Sequence, residues 1–96
     1  MPPHRDVRHG HAFTRDLGAI DADVRRTDEA LRYVEELLAV LPTAGVPART
    51  APGIWIAPLV FSVHGRTVLV NLGYTFDDRM VELLSATRVP LSETNS

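Results

Sequence analysis

No cysteine and no lysine occur in this chain of 96 residues. The first absence excludes disulfides, thiolate metal sites and cysteine nucleophiles, and it is compatible with a reducing compartment. The second leaves all ten basic residues as arginine. Arginine codons are GC-rich and lysine codons are not, which points to a GC-rich genome, bacterial or phage. A long apolar run is missing as well. The longest, IWIAPLVFSV, ends at Val63 and is about half the length of a bilayer span. Charges and histidines occupy the first residues, where a secretory signal needs an apolar core. The expectation is a soluble, cytoplasmic protein. There is no internal repeat, no glycine-rich phosphate loop, no Gly-x-Ser-x-Gly and no HExxH.

What is present is an ordinary globular composition, 45% hydrophobic and 23% charged, of a length that makes one small domain. The net charge of −2 conceals an asymmetry. Residues 1–15 hold Arg5, Arg8 and Arg15 against Asp6, a balance of +2, so the remainder carries −4. Residues 1–16 are expected to form a mobile basic and histidine-rich arm, residues 17–90 a single domain, and residues 91–96 a polar tail.

The clearest periodicity runs from Leu17 to Leu41. Leu17, Ile20, Val24, Thr27, Leu31, Val34, Leu38 and Leu41 alternate spacings of three and four, which places them on one face of a helix. Pro42 stops it. Asp21 with Arg25 and Asp28 with Arg32 form acid-first i,i+4 pairs within that helix. No basic residues answer the acids across a coiled-coil seam, so the helix is expected to pack on its own sheet.

Two β-rich runs flank His64–Gly65, the place for a two-residue hairpin turn. Pairing Val63 with Arg66 sets Phe61 opposite Val68, Leu59 opposite Val70, Ala57 opposite Leu72 and Trp55 opposite Tyr74. These positions share one apolar face, expected to be the core. The other face is mixed. Pro58 on it cannot donate a ladder hydrogen bond, so its strand is expected to be an edge there or to bulge. A further short strand is read in PARTAP, from Pro47. TFDDRMVELLSATR reads as a short helix, with Thr75 and Asp78 as a capping box. The resulting fold class is α+β: a long N-terminal helix on a two- or three-stranded antiparallel sheet, plus a short C-terminal helix. That order resembles the double-stranded-RNA-binding domain, whose second helix opens on lysines. Here the corresponding place reads FDDRM, and two aspartates repel phosphate.

Several residues invite chemistry. His9 and His11, with His4 or Asp6, have donor atoms that zinc accepts, though Gly10 separates the two histidines with a flexible link. Arg5, Arg8 and Arg15 offer phosphate contacts for a nucleic-acid-binding arm. Asp77–Asp78 and Glu35–Glu36 are adjacent carboxylates whose commoner roles are capping and solvation, and His64 sits at a hairpin tip with no orienting partner. The sequence therefore favours a non-catalytic protein without a cofactor. It is read as a protein-protein interaction or accessory protein that acts through the mixed hairpin face. The contact residues are Ile56, Val60, Leu69 and Asn71, and the partner is a second copy, giving a homodimer, or another protein. That reading holds if the face is open. The alternative is that the C-terminal helix or residues 11–20 fold back and cover it.

Overall fold

The computed structural model describes residues 4–24, 27–63 and 65–90, without the side chains of residues 22–24 and 63. In chain order the elements are strand β1 (Asp6–His9), helices α1 (His11–Val24) and α2 (Thr27–Val40), a 3-10 turn at Pro42–Ala44, and strands β2 (Val46–Pro47), β3 (Trp55–Val63), β4 (Arg66–Phe76) and β5 (Met80–Val89). They build one five-stranded sheet in the order β1-β5-β4-β3-β2. β1 runs parallel to β5, and every other pair is antiparallel.

The hairpin register agrees with the expectation from Trp55↔Tyr74 to Val63↔Arg66. Gly65 adopts φ +77° in the turn, a backbone region that favours glycine. His64 lies outside the described residues. Side-chain alternation puts Ala57, Leu59, Val68, Val70 and Leu72 in the core, all at most 5% exposed. Beyond Ile56, no strand among the described residues pairs with the outer edge of β3. Val63 and Arg66 close the hairpin, so alternation turns the backbone of residue 58 away from β4. The N–H that Pro58 lacks thus falls on the free edge, where its absence is tolerated.

Three expectations are corrected. First, there are five strands rather than two or three. TFDDRMVELLSATR is not a helix: β4 continues to Phe76 and β5 begins at Met80. Val81 and Leu83 alternate onto the core face at 0% exposure. An irregularity in the β4–β5 pairing at Gly73/Tyr74 sets Ser85 opposite Gly73 and Leu83 opposite Tyr74, leaving Leu84 unmatched. That extra residue restores Ala86 to the core face. Spacings of two and then three had imitated a helix period. Asp77 does not cap a helix. Its Oδ1 accepts from the N–H groups of Arg79 (2.8 Å) and Met80 (2.9 Å), closing the turn between the strands. Those two N–H groups hold its carboxyl below the usual carboxylate range.

Second, the long helix is two helices. Asp21 Oδ1 accepts from the Thr27 N–H (3.2 Å) and from Thr27 Oγ1 (2.7 Å), satisfying a donor at the start of α2. The predicted face still points inward, carried by Ile20 from α1 and by Thr27, Leu31, Val34 and Leu38 from α2, whereas Leu41 is 51% exposed. Arg25 lies outside the described residues, and so does the Asp21–Arg25 pair. Third, the stretch expected as an arm includes β1 and the first turns of α1. Val7 packs against the core, and Phe13 is fully buried. With a strand before two helices and four strands after them, the likeness in element order to the double-stranded-RNA-binding domain lapses. The expected tail, residues 91–96, lies outside the described residues.

Tyr74 locks the sheet to the segment after α2. Its hydroxyl donates to the Pro42 carbonyl (2.5 Å) and accepts from the Gly45 N–H (3.1 Å). Burial pushes the phenol pKa up, opposed by the Gly45 contact. A Cβ at Gly45 would stand 2.5 Å from both the Ile56 carbonyl oxygen and the Tyr74 hydroxyl, so no larger residue fits without displacing backbone.

Candidate interaction face and flanking clefts

Phe13 and Ile20 of α1 belong to the same buried cluster as Leu31, Val34 and Leu38 of α2 and the inward residues of β3, β4 and β5. Both helices therefore cover one face of the sheet. Residues 11–20 and the C-terminal segment, the two proposed covers for the other face, lie in α1 and in β5. Among the described residues the outer face is open.

Strand register arranges that face in rows. Val60, Leu69 and Val89 form an apolar row across β3, β4 and β5. Pro58, Asn71 and Thr87 form the next. Val46, Ile56, Gly73 and Ser85 form a third that reaches β2. None of these ten residues is charged, in a chain whose charged content is 23%. Depletion of charge is the compositional mark of an interface core. Charge enters in the rows beyond, where Thr75 pairs with Glu82 and Glu82 with Arg8, and Asp6 pairs with Met80.

The four residues singled out from sequence all lie here and are brought together. Val60 faces Leu69, Asn71 is two positions along the same strand, and Ile56 lies one row further. Val60 is 58% exposed, while Ile56, Leu69 and Asn71 are half-buried by their neighbours. Sequence reasoning missed Val46 and Val89. Both are β-branched residues in runs too short or too irregular to be read as strands. It also missed a second apolar surface. Tyr33, Leu37 and Val40 follow one another at spacings of four and three along α2, and all are exposed.

The three arginines do not form a shared surface. Arg5 donates its backbone N–H to the Ala39 carbonyl (2.8 Å) and its Nε to the Asp77 carbonyl (2.6 Å), tying β1 to the end of α2 and to the β4–β5 turn. Arg8 lies on the outer face beside Glu82. Arg15 is on α1 with its Nε 3.6 Å from Asp16 Oδ1, while the other Asp16 oxygen accepts from the Ala86 N–H.

The histidines are likewise separated in role. His9 Nε2 meets Glu35 Oε2 across β1 and α2, and its ring lies 5.0 Å from that of Phe13. Two open clefts flank this contact. One, of about 190 Å³, is lined by His9, Phe13, Asp21 and Thr27. The other, of about 310 Å³, is lined by His4, Arg5, Arg32 and Glu35. Both fall at or below the lower end of small-molecule pockets. Among the described residues, no three His, Asp or Glu side chains gather as a metal site would need. Trp55 lies opposite Tyr74 and packs edge-on against Phe76 at 5.5 Å, as part of the helix-side core margin.

No helix among the described residues is long and apolar enough to cross a membrane. No family model matches the chain, and no curated protein matches it.

Proposed function

We propose that this chain is a non-catalytic protein-interaction module whose contact surface is the outer face of the sheet, centred on Ile56, Val60, Leu69 and Asn71. The observation that carries the reading is that both helices cover one face and that, among the described residues, nothing covers the uncharged rows on the three long strands. Exposed contiguous surface of this kind marks a partner site. The free edge of β3 is a poor alternative contact, because Pro58 removes one of the N–H groups that an added strand would use. The nucleic-acid reading is weaker, since Arg5, Arg8 and Arg15 diverge and the three central rows hold neither arginine nor aromatic residues.

Binding of an apolar dye, read together with circular dichroism, tests the proposal. The wild type is expected either to bind the dye or to hide the face by self-association. Val60→Glu with Leu69→Glu is expected to keep the fold and do neither. A wild-type chain that neither binds dye nor associates overturns the reading. Salt-sensitive binding of a labelled oligonucleotide, lost on substituting Arg5, Arg8 and Arg15, would establish the nucleic-acid alternative instead.

A further inference from the structure

We infer that the occupant of the outer sheet face is the same face of a second copy, packed sheet on sheet about a two-fold axis through β4. This rests on the reading that the face takes a protein partner, and it specifies that partner.

Three observations favour self-pairing. The first is charge. A face whose central rows carry no ion meets its own copy without like-charge repulsion, and no ion is stripped of water. The margin along β1 and β5 carries both signs, Arg8 with Asp6 and Glu82, so it is not uniformly repulsive towards a copy of itself. The second is shape. The long strands lie about 4.8 Å apart and rise about 3.3 Å per residue. β3, β4 and β5, with 9, 11 and 10 residues, thus present on the order of 500 Å² per copy. Two such faces bury about 1,000 Å², the lower bound for a specific interface. The association is accordingly expected to be weak and concentration-dependent. The third is the edge. Because Pro58 blunts β3 and the opposite edge strand β1 has only 4 residues, two copies are not expected to extend one sheet, and stacking faces remains the symmetric solution.

Light scattering behind a sizing column, at rising concentration and at two salt concentrations, tests the inference. The chain is expected to pass from monomer to dimer near micromolar to submillimolar concentration, with little effect of salt. Val60→Glu with Leu69→Glu is expected to stay monomeric with an unchanged circular dichroism spectrum. The absence of cysteine allows a positional check. Asn71 is on the middle strand in a central row and lies nearest the axis, so Asn71→Cys is expected to oxidise to a disulfide-linked dimer, whereas Tyr33→Cys on α2 is not. A wild type that stays monomeric at the highest concentration overturns self-pairing. If it still binds apolar dye at the outer face, the interaction reading survives, and if it does not, both fall. A dimer linked through Tyr33→Cys but not Asn71→Cys also overturns the inference and moves the contact to α2.

Discussion

The two faces of this sheet share strands, hydrogen bonds and backbone, yet they differ in every property of their side chains. On the helix side, Val70, Leu72, Tyr74, Val81 and Leu83 are fully buried. On the outer side, the three rows built on Leu69, Asn71 and Gly73 are uncharged, and Val60 is 58% exposed. Burial against α1 and α2 accounts for the apolar character of the first face through the hydrophobic effect. Nothing within the described chain accounts for the second. A face that stability does not require to be apolar, and that solubility would prefer charged, is best understood through what it meets.

The comparison can be broken by substitutions on each side. The largest effect is expected for Leu72→Ala, which empties a fully buried site and should destabilise the fold by about 3 kcal/mol, read by urea denaturation. A smaller loss of about 2 kcal/mol is expected for Gly45→Ala, because the added carbon overlaps the Ile56 carbonyl and the Tyr74 hydroxyl. Thermal unfolding measures it, and an unshifted Tm would show that the 42–45 segment is free to move aside. Tyr74→Phe should cost about 1.5 kcal/mol, since the Pro42 carbonyl and Gly45 N–H each lose a buried partner.

On the outer face, Val60→Glu with Leu69→Glu sets two carboxylates opposite each other and should lower monomer stability by about 1 kcal/mol while abolishing assembly. A large loss of stability there would erase the distinction between the faces. The smallest effect concerns pH. The carboxyl of Asp77 is held below its ordinary value in the fold, so its contribution is complete above the unfolded carboxylate range, about pH 4. It is lost as pH falls through the lower folded value. The difference in Tm between wild type and Asp77→Asn should therefore shrink as pH drops below about 4.

The parts of this fold that were legible in sequence are those set by local rules. The His64–Gly65 turn and strict alternation on both sides of it determine the β3–β4 register residue by residue, and with it the two faces of that hairpin. The helix-face spacing from Ile20 to Leu38 also identified inward residues correctly. It could not show that α1 ends at Val24 and α2 begins at Thr27, because two helices packed on one core preserve the same inward phase. β5 was hidden by its irregular pairing, which converts period two into a pattern resembling a helix turn. β1 was illegible for another reason. Only Val7 of its four residues packs on the core, so no alternation shows, and its place depends on a strand far along the chain. The outer face was thus half visible: Ile56, Val60, Leu69 and Asn71 came from the hairpin, while Val46 and Val89 needed strands that local pattern does not reveal.

The parallel pairing of β1 with β5 has a consequence for how the molecule comes to exist. Asp6 sits beside Met80, and His9 beside Leu83. As the chain is synthesised, β1 is made before the other described strands and must wait for β5 before it has a neighbour, while α1, α2 and the β3–β4 hairpin can already form from nearer contacts. Closing so long a loop is slow, since its entropy is lost before the pairing compensates. A ribosome that stalls ahead of Met80 would therefore release a chain lacking two strands of the sheet rather than one, with the edge of β4 uncovered. Quality control that recognises unpaired strand edges would find it there.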